Sequence, residues 1–185
     1  MISDIHRRLR DTTQGLHRRL EDSLDILRRI ESPGGRRRLV GRFHGLHAEA
    51  EAAVEPWLAH LGGLDFEARR RSPGLARDLA ALGVAAPPPP RDPIRVDGAG
   101  PALGLMYVLE GSTLGGRSIR RHLEAAGGDM AGLSFLDPYG EAVGERWRAF
   151  LAVLAAEPDA DGVVSGAVAG FRHAERRLCV DGDRG

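Results

Sequence analysis

The stretch Tyr107-Val108-Leu109-Glu110-Gly111-Ser112-Thr113-Leu114-Gly115-Gly116-Arg117 carries three glycines inside a helical pattern that runs over residues 101–126. An interior helical glycine costs about 1 kcal/mol relative to alanine, and this chain uses alanine freely elsewhere. Gly111 and Gly115 are four apart and share a face, which Gly116 widens. A face without side chains lets a flat group approach the backbone closely. Small residues also permit a tight helix–helix crossing, and the spacing by itself leaves both readings open.

The pattern on either side is helical too. Ser3 or Asp4 fits an N-cap, and Ile5, Leu9, Leu16, Leu20, Leu24 and Leu27 then follow a helical period. Ser32-Pro33-Gly34-Gly35 reads as the stop of this first helix. A second helix is predicted over residues 36–61, with Leu39, Phe43, Leu46, Ala50, Val54 and Leu58 in register, a kink at Pro56 and an end at Gly62-Gly63. A shorter helix is predicted at 73–82. Pro87-Pro88-Pro89-Pro90 then makes a stiff extended connector. Beyond the glycine-bearing helix, which Gly127-Gly128 closes, helices are predicted over residues 137–155 and 161–178. No strand pattern and no internal repeat is visible. The fold class is all-α, a single domain over residues 1–180 with a frayed tail at 181–185.

Composition excludes several classes. The 185 residues are enough for a substantial core. Acidic and basic residues balance at 26 each, which argues against nucleic-acid binding or a global steering field. Cys179 is the one cysteine, so no disulfide framework forms within the chain, as expected in a reducing compartment. His6-Arg7-Arg8-Leu9-Arg10 interrupts any apolar leader, and no apolar run approaches a membrane span. A soluble, cytoplasmic protein is expected.

The chemistry-bearing candidates are few. Arg10, Thr13, His17 and Leu20 lie on one face of the first helix. A histidine beside an apolar stripe is usually a half-buried residue, but one facing a glycine-surfaced helix supplies a metal ligand on one side of a slot and room for a flat ring on the other. Haem fits such a slot. His44 and His47 sit near Glu49 and Glu51, but the Glu-x-x-His spacing of a di-iron bundle is absent, so this pair reads as a polar, partly exposed face. Gly111 to Gly116 lacks the lysine of a phosphate-binding loop, and Ser112 lacks a nucleophile-elbow context. Cys179 reads as packing, and Trp57, Trp147 and Tyr139 as core or rim.

Two segments resemble the haem oxygenases. Leu9-Arg10-Asp11-Thr12-Thr13-Gln14-Gly15-Leu16-His17 is similar to the family's first helix, in which a threonine precedes the proximal haem ligand. The Leu109-to-Gly116 stretch is similar to the distal helix, whose glycines lie over the haem, and its wording is especially similar to bacterial members, including those paired with bacteriophytochromes. The segment Ala167 to Arg176 resembles the last haem-contacting helix more loosely.

The resemblance implies a helical bundle holding haem between the first helix and a glycine-kinked distal helix. It implies His17 as the iron ligand, Gly111, Ser112, Gly115 and Gly116 at the distal face, and Thr13 beside the haem. Arg10, Arg117, Arg172 and Arg176 are its candidate propionate partners, since arginine binds carboxylates bidentately. The implied activity is cleavage of haem, both cofactor and substrate, by dioxygen to biliverdin, carbon monoxide and ferrous iron. Electrons would come from a ferredoxin or a flavin reductase, and a bacteriophytochrome is a possible biliverdin acceptor. Many members carry an aspartate directly after the first distal glycine; here Ser112 stands there, so proton delivery must use other groups. Haem carriage or sensing without turnover, and a plain helical interaction module, are the rival readings. Thiamin-degrading enzymes share the all-α shape but need a nucleophilic cysteine in the pocket.

Overall fold

The computed structural model describes residues 3–88 and 93–179, and among these it is all-helical. Seven α-helices follow one another: α1 (Asp4–Leu24), α2 (Ile26–Glu31), α3 (Pro33–Leu58), α4 (Ser72–Ala81), α5 (Ala99–Ala125), α6 (Val143–Ala156) and α7 (Ala160–Leu178). Short 3₁₀ turns occupy Glu67–Arg69, Ser134–Leu136 and Gly140–Ala142. Two of the four connector prolines, Pro89 and Pro90, and the predicted tail at 181–185 lie outside the described residues.

Three boundaries differ from the sequence expectation, each for a local reason. The first helix breaks at Asp25, whose φ of 39° is left-handed; its backbone N–H donates to Glu21 and its carboxylate accepts from Arg28 Nε at 2.7 Å. Ser32-Pro33-Gly34-Gly35 ends α2 at Glu31, as expected of a stop, and also starts α3 at once. Ser32 Oγ accepts from the Gly35 N–H at 3.1 Å, and Pro33 takes the first helical position, where its missing N–H costs nothing. The helix predicted from residue 137 begins only at Val143, after two 3₁₀ turns. The glycine-bearing helix α5 is one continuous element from Ala99 to Ala125.

The core is organised on α7. Helix α5 packs along it most extensively, α1 lies on it from another side, and α3 closes the bundle against α4, α5 and α7. The crossing of α5 and α7 is backbone-close: a methyl on Gly104 would collide with the Val163 carbonyl, and one on Gly166 with the Pro101 carbonyl. Leu103, Leu105, Met106, Phe150, Leu154 and Val163 are buried around it. A buried carboxylate ties three elements together. Glu49 of α3 accepts from the Ile94 N–H at 2.6 Å and from Arg177 Nε at 3.0 Å, and His173 Nε2 lies 3.0 Å away. Helices α1 and α5 both rest on α7 but barely on each other, and the gap between them is the feature that matters for function.

Candidate active site

Between α1 and α5 lies a cavity of about 860 Å³, lined chiefly by apolar side chains, with polar groups at its mouth and inner end. One wall is α1. His17 faces the cavity half-exposed, its ring edge-on to Phe171 of α7 at 5.8 Å. Its Nδ1 is 3.2 Å from Glu21 Oε2 one turn on, a contact that favours the proton on Nδ1 and leaves the Nε2 lone pair for a ligand. Thr13 is buried one turn before it, and its hydroxyl donates to the Leu9 carbonyl at 2.8 Å.

The opposite wall is α5, and its glycines divide into two jobs. A methyl on Gly115 would meet nothing within 4 Å, and one on Gly111 only Trp147 Cη2 at 3.8 Å. These two present bare backbone to the cavity. Gly116 also borders it, but its missing side chain is explained by the turn after α5, since a methyl there would strike the Leu136 carbonyl. The glycine face is therefore divided: Gly111 and Gly115 leave it open, while Gly116 packs against a 3₁₀ turn and not a crossing helix. Ser112 lines the cavity too, with its hydroxyl donating back to the Leu109 carbonyl at 2.7 Å.

The inner end is polar in a way the sequence did not reveal. His47, expected on a partly exposed face, is buried on the cavity wall. Burial lowers its pKa, assisted by the Arg71 charge and opposed by Glu51, so it is neutral near pH 7. Its Nδ1 lies 3.6 Å from Glu51 Oε1, beyond hydrogen-bond length. Glu51 stays ionised: burial works against this, but the nearby His47 ring and the donors from Ser72 and the Arg71 backbone outweigh it. Arg71 also lines the cavity, with its Nε and Nη2 buried and without hydrogen-bond partners. At the mouth stand Arg10, Gln14, Arg18, His6 and Tyr107. Burial, and then the Arg10 charge, lower the His6 pKa; burial raises that of Tyr107.

Over 156 residues, 77% of this chain and 88% of the relative, the sequence is 38% identical to the haem oxygenase of Xanthomonas campestris pv. campestris. The chain belongs to the haem oxygenase family. Its fold matches that of the NO- and CO-bound haem oxygenase from Neisseria meningitidis with a TM-score of 0.81, at 21% identity, covering 99% of this chain and 96% of that one. No family model matches the chain.

The slot suits the haem that the family name implies. The His17 ring stands on one wall, bare backbone on the other, and two guanidinium nitrogens without hydrogen bonds at the inner end. The structure gathers His17, Thr13, Arg10, Gly111, Ser112, Gly115 and Gly116 around this slot. It does not bring the other three arginines there. Arg117 turns to Glu141 at 2.6 Å and Asp137 at 3.9 Å. Arg172 is exposed on α7, and Arg176 points past His173, its Nη2 3.4 Å from Nδ1. Each is out of rotational phase with the cavity-facing residue on its own helix, Gly115 or Phe171. Arg18 takes a place at the mouth that the sequence left unassigned; it is one residue beyond His17, and that proximity was the available signal. Arg71, within the run Arg69-Arg70-Arg71, gave no such signal. No helix among the described residues is long and apolar enough to cross a membrane.

Proposed function

We propose that this protein binds haem in the slot between α1 and α5 and cleaves it to biliverdin, with His17 as the iron ligand. One observation carries the reading: His17 faces a glycine backbone, free of side chains at Gly111 and Gly115, across a cavity of about 860 Å³. Family membership supplies the reaction class. Bound haem contributes the iron that activates dioxygen and the macrocycle that is cleaved, releasing carbon monoxide and ferrous iron.

The chain's own groups do the rest. His17 donates Nε2, and Glu21 holds the proton on Nδ1. Gly111 and Gly115 let the ring lie against helix backbone. Phe171, Leu20 and Leu24 exclude water from its apolar part. Arg10 and Arg18, with Tyr107, offer donors to carboxylates at the mouth. At the inner end, Arg71 Nε and Nη2 are available to donate to water in the slot, and neutral His47 can both donate and accept. These groups offset the serine at position 112, whose hydroxyl proton is already used by the Leu109 carbonyl. The reaction also needs electrons, for which a ferredoxin or flavin reductase is the proposed source. The proposed product is the alpha isomer, with a bacteriophytochrome as its acceptor and the cytoplasm as the setting.

The test is an optical titration with hemin, followed by ascorbate or a ferredoxin–reductase system in air, with His17→Ala alongside. A one-to-one Soret complex that decays to a biliverdin band, with turnover lost in the variant, is the expected result. A complex that keeps its Soret band through repeated reduction would make the protein a haem carrier. No complex at all would remove the haem reading.

A further inference from the structure

The run Arg69-Arg70-Arg71 sends three like residues to three different fates. Arg69 is buried on Glu110 of α5, with its Nη1 2.6 Å from Oε2. Arg70 is partly exposed and reaches Glu67 and Glu51. Arg71 goes to the cavity, its side chain 9% exposed, with Nε and Nη2 unbonded. Buried guanidinium N–H groups without hydrogen bonds are costly. The ion-pair partner of Arg71 is the Glu110 carboxylate, but Nη2 lies 3.8 Å from Oε1, beyond hydrogen-bond length. A small movement would close a hydrogen bond there and take the donors out of the cavity.

Tyr139, in the segment between α5 and α6, stands in the way. Its hydroxyl donates to that same Oε1 at 2.8 Å. Its ring lies under the Arg71 guanidinium, with 4.3 Å from Cζ to the ring centroid. The ring is itself fixed, with Arg146 Cζ 5.3 Å from its centroid and Glu110 clamped by Arg69. Stacking on an aromatic face is attractive for a guanidinium and leaves its in-plane N–H groups free, whereas a carboxylate partner would use them. We propose that Tyr139 is a positioning residue: it holds Arg71 on its ring face and short of a hydrogen bond to Glu110, and so keeps the Arg71 donors available to the cavity. This rests on the reading that Arg71 acts on what the slot binds.

Two measurements separate the proposal from that reading. In the haem-free protein, the Arg71 Nε–H resonance is expected upfield from the Tyr139 ring current, and Tyr139→Leu is expected to remove that displacement. In the hemin-reconstituted, reduced protein, the C–O stretching frequency of added carbon monoxide reads the field of a nearby donor. Arg71→Met is expected to shift it. Tyr139→Leu is expected to give most of that shift, with nothing further added in the double variant. Tyr139→Phe, which keeps the ring, is expected to restore most of the wild-type frequency. A shift in Arg71→Met with none in Tyr139→Leu would overturn the positioning role and leave Arg71 standing. No shift in Arg71→Met would remove the reading beneath it, and the proposal with it. If Tyr139→Leu fails to fold, an Arg71 Nε–H without ring-current displacement in the wild-type protein refutes the stack directly.

Discussion

Replacing neighbouring glycines of α5 should separate the two uses of bare backbone. Gly115→Ala adds a methyl that meets no atom within 4 Å. The helix gains alanine propensity, so the haem-free protein should be more stable by about 1 kcal/mol. For a chain of this size that is a rise of about 2–4 °C in Tm. Gly116→Ala puts its methyl into the Leu136 carbonyl, where only a backbone shift can relieve the clash. Overpacking of this kind costs about 1–3 kcal/mol, so its Tm should fall. Hemin affinity should respond in a different order. The Gly115 methyl occupies space the ring needs, and the same overpacking range corresponds to about 5–150-fold weaker binding. Gly115→Leu should remove the Soret complex while leaving the helical circular dichroism and the haem-free Tm intact. Calorimetry on the haem-free variants and hemin titration of each are the assays. A Gly115→Leu protein that binds hemin like the wild type would refute the assignment of this face to the slot. A Gly115→Ala protein that melts lower than the wild type would refute the open space above it.

Other expectations follow from the same geometry. Arg10→Ala and Arg18→Ala should each weaken hemin binding by about threefold to tenfold at low ionic strength and less in high salt, measured by titration, because both arginines stand at the mouth. Arg172→Ala and Arg176→Ala should change it by less than about twofold, the scale of an exposed charge off the site. Glu49→Gln removes the charge on which Arg177 and His173 converge, and should cost about 3 kcal/mol in urea unfolding, since one partner of a buried cluster is lost. Stability of the haem-free protein should fall as pH drops below about 6.5. Burial lowers the folded-state pKa of His6, His44, His47 and His173, so the unfolded chain binds more protons in that window. The histidine contribution is fully present above the ordinary imidazole value and is lost as pH falls toward the lowered ones. His47→Gln should flatten the slope between pH 7 and 5, and an unchanged slope would argue that His47 is not held neutral.

The helical period and the proximity of residues on one helix were legible in the chain alone. Thr13, His17 and Leu20 share a face at any packing, and so do Gly111 and Gly115, because an α-helix repeats every 3.6 residues. That was enough for the all-α class and for two facing walls. It did not say which way each wall faces. The direction of Arg117, Arg172 and Arg176 depends on how α5 and α7 are rotated in the bundle, and backbone contact through Gly104 and Gly166 fixes that rotation. The start of α3 at Pro33 was locally encoded by the Ser32 cap, yet the same Pro-Gly-Gly signal also fits a stop. Arg71, His47 and Tyr139 come from three separate segments, with nothing in their spacing to join them. They meet at one end of the slot only because α3, the approach to α4 and the segment after α5 pack together there, and burial then makes neighbours of groups distant in sequence. Local periodicity determined the walls; long-range packing alone decided which polar groups stand inside them.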